Sequence, residues 1–206
     1  MFSGIVEGEG TVVRKEKIKT GLLLTISTNI LDKPLKLGES ICVSGVCLTV
    51  VRRPLKNRFC VELVPATIRQ TTFQNLGANK MVNLERSLKW GDRLSGHFVM
   101  GHVDGVGKII RRQSQGKNLV FDIEAPKEIE RYLVSKGSIA VDGVSLTIQH
   151  AKGKRFQVSV IPHSAGNTSL GRKVQGSQVN LEADILAKHL DRFVTRQNRL
   201  RQTKKR

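Results

Sequence analysis

Aromatic residues make up only 4% of this chain, with one Trp and one Tyr. So thin a supply leaves little surface on which single-stranded bases could stack, and no recognised nucleic-acid motif is present. Cysteine is scarce as well. Cys42, Cys47 and Cys60 are odd in number and lack CxxC spacing, which argues against a disulfide framework and a structural zinc site and leaves free thiols. No window approaches the roughly 18 apolar residues of a membrane span, and the opening Met-Phe-Ser-Gly-Ile-Val lacks the basic and apolar regions of a signal peptide, so a cytoplasmic location is expected. Histidine offers no metal pattern: an odd separation sends His97 and His102 to opposite faces of a strand, and His163 and His189 have no ligand-like neighbours. No metal is expected.

What the chain has in excess is positive charge, 35 Lys and Arg against 17 Asp and Glu for a net +18. Such a balance ordinarily suggests a polyanion partner. Its placement weakens that reading: six basic residues and no acid sit in "RQNRLRQTKKR" at 196–206, and the rest are spread without a basic helix or stripe. The tail reads as a solvated basic end, and nucleic acid is not the expected partner.

The strongest internal signal is a repeat. "GESICVSGVCLTVV" at 38–51 returns as "KGSIAVDGVSLTIQ" at 136–149, "FSGIVEGEGTV" at 2–12 as "VMGHVDGVGKI" at 99–109, "FCVELVPATIRQTTFQNL" from Phe59 as "FQVSVIPHSAGNTSLGRK" from Phe156, and "MVNLERS" from Met81 as "QVNLEAD" from Gln178. The offset is 97 for Gly4 to Gly101, Pro65 to Pro162 and Asn83 to Asn180, and 98 for Gly45 to Gly143. Blocks in one order at one offset indicate a duplication. The expected domains are 1–96 and 97–184, followed by 185–206.

Each half reads as short β-rich runs punctuated by glycine: "FCVELV" alternates strictly, and "SICVSGVCLTVV" clusters Val, Ile, Leu and Thr. Six short strands per half suit a small antiparallel barrel, closed so that no edge is exposed. The expected fold is therefore mainly β, two tandem Greek-key-like six-stranded barrels plus a C-terminal α-helix. Two helical pieces are expected. One lies in "APKEIERYLVSKG", with Pro126 in its first turn, Ile129 and Leu133 at i, i+4 and Gly137 as a stop. The other follows Asp184, with Leu186, Leu190, Phe193 and Val194 as an apolar stripe suited to partner helices in an oligomer.

In "MFSGIVEG", "SGVCLTV", "GHFVMGHVDGVG", "KGSIAVDGVSLT", "IPHSAGNTSLG" and "VNLEAD", which span Met1 to Asp184, the chain resembles the riboflavin synthase family, built from two lumazine-binding repeats. The resemblance implies that two molecules of 6,7-dimethyl-8-ribityllumazine react, one giving a four-carbon unit to the other, to form riboflavin and 5-amino-6-ribitylaminouracil without metal or redox cofactor. It also implies a homotrimer with the site between subunits, and association with lumazine synthase. The rival within the same superfamily is a non-catalytic lumazine or flavin carrier.

By the same resemblance, one cradle is lined by Gly4, Ile5 and Val6, by Cys47, Leu48 and Thr49, and by Glu62, Leu63, Val64, Pro65, Ala66 and Thr67. The other is lined by Gly101, His102 and Val103, by Lys136, by Ser145, Leu146 and Thr147, and by Val160, Ile161, Pro162, His163, Ser164 and Ala165. Backbone amides and carbonyls suit a pyrimidine edge, hydroxyls a ribityl chain, and glycines a close approach. The reaction needs a base for the 7-methyl proton and an activated nucleophile. His102 is the candidate base; Cys47, Ser145 and Thr147 are candidates for the nucleophile or its positioning. Lys136 is read as holding a polar ligand group, and Asp184 as orienting His102, binding substrate or capping the final helix. Ser44 stands where the family commonly has Asn, Ala66 where an acid is usual, and Ser164-Ala165 where Thr-Leu is usual.

Overall fold

The structure, a computed structural model, describes residues 1–29 and 35–203, with side chains of the terminal helix described as far as 196. The basic run beyond 196 therefore lies outside the described side chains. Strands β1 (Gly8–Ile18), β2 (Gly21–Ser27), β3 (Ser40–Val43), β4 (Val46–Leu55), β5 (Arg58–Leu63) and β6 (Met81–Arg86) close barrel 1 in the order β1-β2-β5-β4-β3-β6. Strands β7 (Gly105–Gln115), β8 (Asn118–Glu124), β9 (Ser138–Val141), β10 (Val144–Lys152), β11 (Arg155–Val160) and β12 (Gln178–Ala183) close barrel 2 in the corresponding order. All pairings are antiparallel. Closure removes every sheet edge, as the run of short strands led one to expect.

The period-2 alternation decides which residues are core. In β4, Val46, Leu48 and Val50 point inward and are buried, while Cys47 and Thr49 point out; Val144, Leu146 and Ile148 repeat this in β10. The curvature a six-stranded barrel needs is supplied by bulges at matching places, Val12/Arg14 with Ile109/Arg111 and Val50/Arg52 with Ile148/His150. The result is two apolar cores, one per repeat, and a small third cluster of Phe2, Cys42, Val99 and Ala140 between the barrels.

Helical structure departs from expectation in two places. Residues Lys127–Tyr132 form a 3-10 helix with Pro126 as its N-cap, because Pro126 O and Glu130 O accept from Ile129 N and Leu133 N, three residues on, and tighten the segment. Short helices α1 (Pro65–Gln70) and α2 (Pro162–Asn167) open on the paired prolines, a signal of helix start that the strand pattern overshadowed. The terminal helix α3 (Ile185–Thr203) forms as expected, and Asp184 Oδ1 accepts from Leu186 N at 2.9 Å. Among the described residues no helix is long and apolar enough to cross a membrane.

The barrels are joined through two buried asparagines. Asn83 Nδ2 donates to Asp142 O at 2.8 Å while its Oδ1 accepts from Ser169 N at 2.7 Å; Asn180 Nδ2 donates to Ser44 O and its Oδ1 accepts from Thr72 N, both at 2.8 Å. Each thus satisfies a turn carbonyl and the first amide of a 3-10 helix, Ser169–Arg172 or Thr72–Asn75, of the opposite barrel. The turns themselves, Ser44-Gly45 and Asp142-Gly143, take positive φ at both positions, the two-residue hairpin geometry that favours Asn or Asp followed by Gly. They abut so closely that a Cβ on Gly45 would stand 2.9 Å from Gly143 N, and one on Gly143 2.8 Å from Gly45 N.

Asn180→Ala should leave Thr72 N and Ser44 O buried without partners. A loss of about 2–4 kcal/mol in urea-unfolding stability is expected, from two orphaned groups at about 1–2 kcal/mol each. A loss below about 0.5 kcal/mol would mean the asparagine bridge is not what holds the barrels together.

Candidate active site

The leading residues of each repeat do not stay with their own barrel. Phe2 and Val99, equivalent at the 97-residue offset, pair with each other: Phe2 N donates to Val99 O at 2.8 Å and Val99 N to Phe2 O at 3.1 Å. Beyond this bridge the segments cross. Gly4 O accepts from Ser145 N, and Gly101 O from Cys47 N, both at 2.8 Å; Val6 packs on the core of barrel 2 and Val103 on that of barrel 1. The expected grouping is corrected accordingly: Gly4–Val6 lie with Ser145–Thr147, and Gly101–Val103 lie with Cys47–Thr49. Only glycine allows the contact. A Cβ on Gly4 would sit 2.6 Å from Ser145 Cβ, one on Gly101 2.6 Å from Cys47 Cβ, and both residues have positive φ.

Two buried carboxylates, to which the sequence reading gave no role, fasten the crossing. Glu85 Oε1 accepts from Ser3 N at 2.7 Å and Ser3 Oγ at 2.8 Å, and its Oε2 from Gly4 N at 3.0 Å. Glu182 Oε1 accepts from Met100 N at 2.7 Å, and its Oε2 from Gly101 N at 2.9 Å and His102 N at 3.1 Å. Burial pushes both carboxyl groups above their ordinary value, while the donated amide hydrogens pull the other way. The signal was present: the repeated "VNLE" block carries both the bridging asparagine and the fastening glutamate.

Around each crossing the outward-facing side chains form a cradle. On barrel 2 these are Ser145 and Thr147 of β10, with the start of α2 beyond, while the exposed Ile5 lines a hollow with Glu7, Glu85 and Arg86. On barrel 1 they are Cys47 and Thr49 of β4, with Glu62 and the start of α1. Leu48, Leu63, Leu146 and Val160 turn their side chains into the cores, so they can offer a cradle only backbone groups. Val64, Pro65, Ala66, Ile161, Pro162 and His163 are exposed at the two helix starts; Thr67, Ser164 and Ala165 are half-buried there.

The cradles differ in their ionisable groups. His97, buried in the linker between repeats, places Nδ1 at 2.7 Å from Ser145 Oγ, while its Nε2 is buried without a protein partner. Burial pushes this imidazole below its ordinary value, and the charge of Asp184 opposes the shift without cancelling it. A neutral imidazole against a serine hydroxyl is a base–nucleophile pair. The sequence reading weighed His97 only as a metal ligand, since nothing in its spacing announces contact with a residue 48 positions away. Cys47 has no such neighbour; burial raises its thiol, and the N-terminus and Ser40 only partly offset this. His102 is exposed and held through its backbone by Glu182. Lys136 has positive φ and an exposed ammonium 3.3 Å from Gln149 Oε1. Asp184 caps α3 and makes no hydrogen bond to His102; its field reaches His97.

Comparison with known proteins gives a consistent result. The lumazine binding domain family matches residues 3–87 and again 100–184. Riboflavin synthase from Bacillus amyloliquefaciens is 40% identical over 205 residues, 98% of this chain and 95% of that protein. Riboflavin synthase from Brucella abortus is 41% identical over 197 residues, 94% of this chain and 98% of that protein. Among solved structures, LumP complexed with riboflavin superposes with a TM-score of 0.82 at 28% identity, covering 89% of this chain and 99% of that one. LumP complexed with 6,7-dimethyl-8-(1'-D-ribityl) lumazine gives 0.79 at 27% identity, with the same coverage.

Glu182→Gln exchanges one acceptor oxygen for an amide donor facing backbone N–H groups, at an expected cost of about 2–4 kcal/mol. The pH dependence has a definite sign. Because the folded state holds the carboxyl proton above its ordinary 4.5, it binds more protons than the unfolded chain between 4.5 and the raised value. Wild-type stability relative to Glu182→Gln should therefore rise as pH falls through the raised value and level off below 4.5. Paired urea titrations across that range check it; a difference that shrinks on acidification would reverse the assignment.

Proposed function

Because the chain belongs to the riboflavin synthase family, a transferase family with two lumazine-binding domains, we propose that its two crossed cradles hold two molecules of 6,7-dimethyl-8-ribityllumazine, one donating a four-carbon unit to the other. The products are riboflavin and 5-amino-6-ribitylaminouracil. The observation that carries this reading is the duplication of one cradle with unequal chemistry: the same strand, glycine segment and helix start occur twice, and only one copy has a base against its hydroxyl. Two similar cradles suit two copies of one substrate, and holding both rings in register makes a bimolecular encounter effectively unimolecular.

In this reading the backbone groups of Gly4–Val6 and of Gly101–Val103 take the pyrimidine edges, and Thr147 and Thr49 the ribityl hydroxyls. Neutral His97 receives the proton of Ser145 as the serine oxygen adds to one lumazine ring, the electron pair of the attacked π bond passing into the conjugated ring, and returns it when that C–O bond breaks on release of the four-carbon unit. His102 stands on the segment that flanks the Cys47 cradle, exposed and free to reach a second ring brought up to it, where it serves as the base for the 7-methyl proton. Cys47, whose thiol stays protonated, packs against the ring it holds. Lys136 provides an exposed cation beside the Ser145 cradle. The protein acts in the cytoplasm.

The second ring is brought up by another subunit. Leu186, Leu190, Phe193 and Val194 on α3 are each more than half exposed, an apolar stripe that needs a partner. Three such helices packed together make a homotrimer in which a cradle of one subunit faces the other cradle of its neighbour. The double substitution Leu190→Asp/Phe193→Asp should convert a trimer to monomers in sedimentation and reduce turnover at least tenfold. A monomeric wild type with full turnover would overturn this arrangement. Lumazine synthase, if it associates, appears in the same experiment as a heavier boundary on addition.

Incubated with 6,7-dimethyl-8-ribityllumazine alone, the protein should yield riboflavin and the pyrimidine in equal amounts; bound but unconverted lumazine would mark a carrier instead. His97→Gln should lower kcat about a hundredfold, the usual effect of losing one acid–base group, with KM little changed. His102→Gln should do likewise, whereas Ile5→Ala should act mainly on KM. Unaltered kcat in His97→Gln would remove it from the reaction.

A further inference from the structure

A hollow of about 450 Å³ lies on the outer face of barrel 1, away from the strand ends that carry the cradle residues. Its floor is one row across four strands. Arg14 of β1 pairs with Thr25 of β2, Thr25 with Cys60 of β5, and Cys60 with Arg52 of β4. Directly opposed residues share a face of the sheet, and Thr25 Oγ1 does lie 3.4 Å from Cys60 Sγ. Three inter-strand steps of about 4.8 Å separate the two end arginines by about 14 Å. Arg53, Pro54 and Arg58 line the rim together with one carboxylate, Glu16.

The duplicated barrel is an internal control for this face. The matching row of barrel 2 is Arg111, Asp122, Gln157 and His150, with Gln157 Nε2 donating to Asp122 Oδ1 at 2.8 Å. Arg155, the counterpart of Arg58, lies opposite Glu124 and pairs with it at 3.2 Å. In barrel 1 the two carboxylates of that strand are replaced, Asp122 by Thr25 and Glu124 by Ser27, while Arg14 and Arg58 match Arg111 and Arg155 and a further arginine, Arg52, stands where barrel 2 has His150. Among the described residues none of Arg52, Arg53 and Arg58 has a carboxylate within ion-pair distance; only Arg14 does, with Glu16 at 3.0 Å. Among the described residues the hollow thus gathers four guanidinium groups against one carboxylate, Glu16.

We propose that this hollow binds a phosphate-bearing small molecule, whose anion takes the place that Asp122 and Glu124 hold in barrel 2. Convergent guanidinium groups match phosphate oxygens in bidentate fashion, and the floor of Leu23, Thr25 and Cys60 accepts an uncharged remainder. A small ligand fits better than a nucleic acid, because the patch is concave and confined to one sheet face, and no aromatic residue lines it for stacking.

The test is calorimetric titration of the full chain with inorganic phosphate and with pyrophosphate at low salt. One saturable site per chain is expected, tighter for pyrophosphate. Arg52→Gln/Arg58→Gln should weaken it about a hundredfold, about tenfold for each charged hydrogen-bonding group removed, while Arg111→Gln in barrel 2 leaves it unchanged. Thr25→Asp/Ser27→Glu rebuilds the barrel 2 pattern without touching an arginine; it should abolish binding and leave the melting temperature at least as high. Absence of saturable binding to wild type would overturn the proposal. So would equal weakening by Arg111→Gln, which indicates diffuse charge, or tight binding of an RNA oligonucleotide that pyrophosphate cannot displace. None of these readouts depends on turnover of lumazine.

Discussion

Everything in this molecule is arranged around two buried amides that reach across to the other half. Asn83 and Asn180 each hold a turn carbonyl and a 3-10 amide of the opposite barrel, and nothing apolar of similar shape could satisfy those four backbone groups. The bonds set the distance and the rotation between barrels that have separate cores. They also bring the Ser44-Gly45 and Asp142-Gly143 turns into contact, which only residues without a side chain at Gly45 and Gly143 permit. A hydrophobic interface would give attraction without this registry; directional bonds give both.

Once the halves are so placed, the leading segments have one way to run. They meet at the Phe2–Val99 bridge and reach the opposite barrels, while Glu85 and Glu182 of their own barrels clamp their amides. Both carboxyl groups are costly to bury and are kept by the N–H groups that point at them. Strength at this point matters to chemistry, since the clamped glycines lie against Ser145 and Cys47. The carboxylates touch none of the expected lining side chains and still determine where the cradles are. They are positioning groups.

Duplication explains the likeness of the halves, and divergence explains their use. Ser145 gained a buried imidazole from the linker, whereas Cys47 remained beside a backbone carbonyl. On the outer faces the divergence runs the other way: barrel 2 has Asp122 and Glu124 among its cations, where barrel 1 has Thr25 and Ser27 and only Glu16 beside the four arginines of its hollow. A repeat lets each copy serve as a reference for the other, so a lost partner is visible without any further sequence.

Most of the fold was legible in the chain itself. Strict alternation in "FCVELV" and the four blocks at one offset suffice for two similar closed barrels, because a period of two and a duplicated order are properties of sequence alone. The apolar stripe from Leu186 to Val194 likewise belongs to the helix that carries it. The local tightening at Lys127–Tyr132 was not legible, since the choice between i+3 and i+4 bonds depends on what the segment packs against. Nor was the site's pairing. That Gly4 belongs with Ser145 and not with Cys47, that His97 rather than His102 meets the serine, and that the glutamates of "VNLE" clamp the glycines are contacts across 48 to 141 positions, made by a crossing of chains. Spacing along a chain carries local periodicity, and only the folded arrangement of two barrels decides which distant groups come within hydrogen-bond reach.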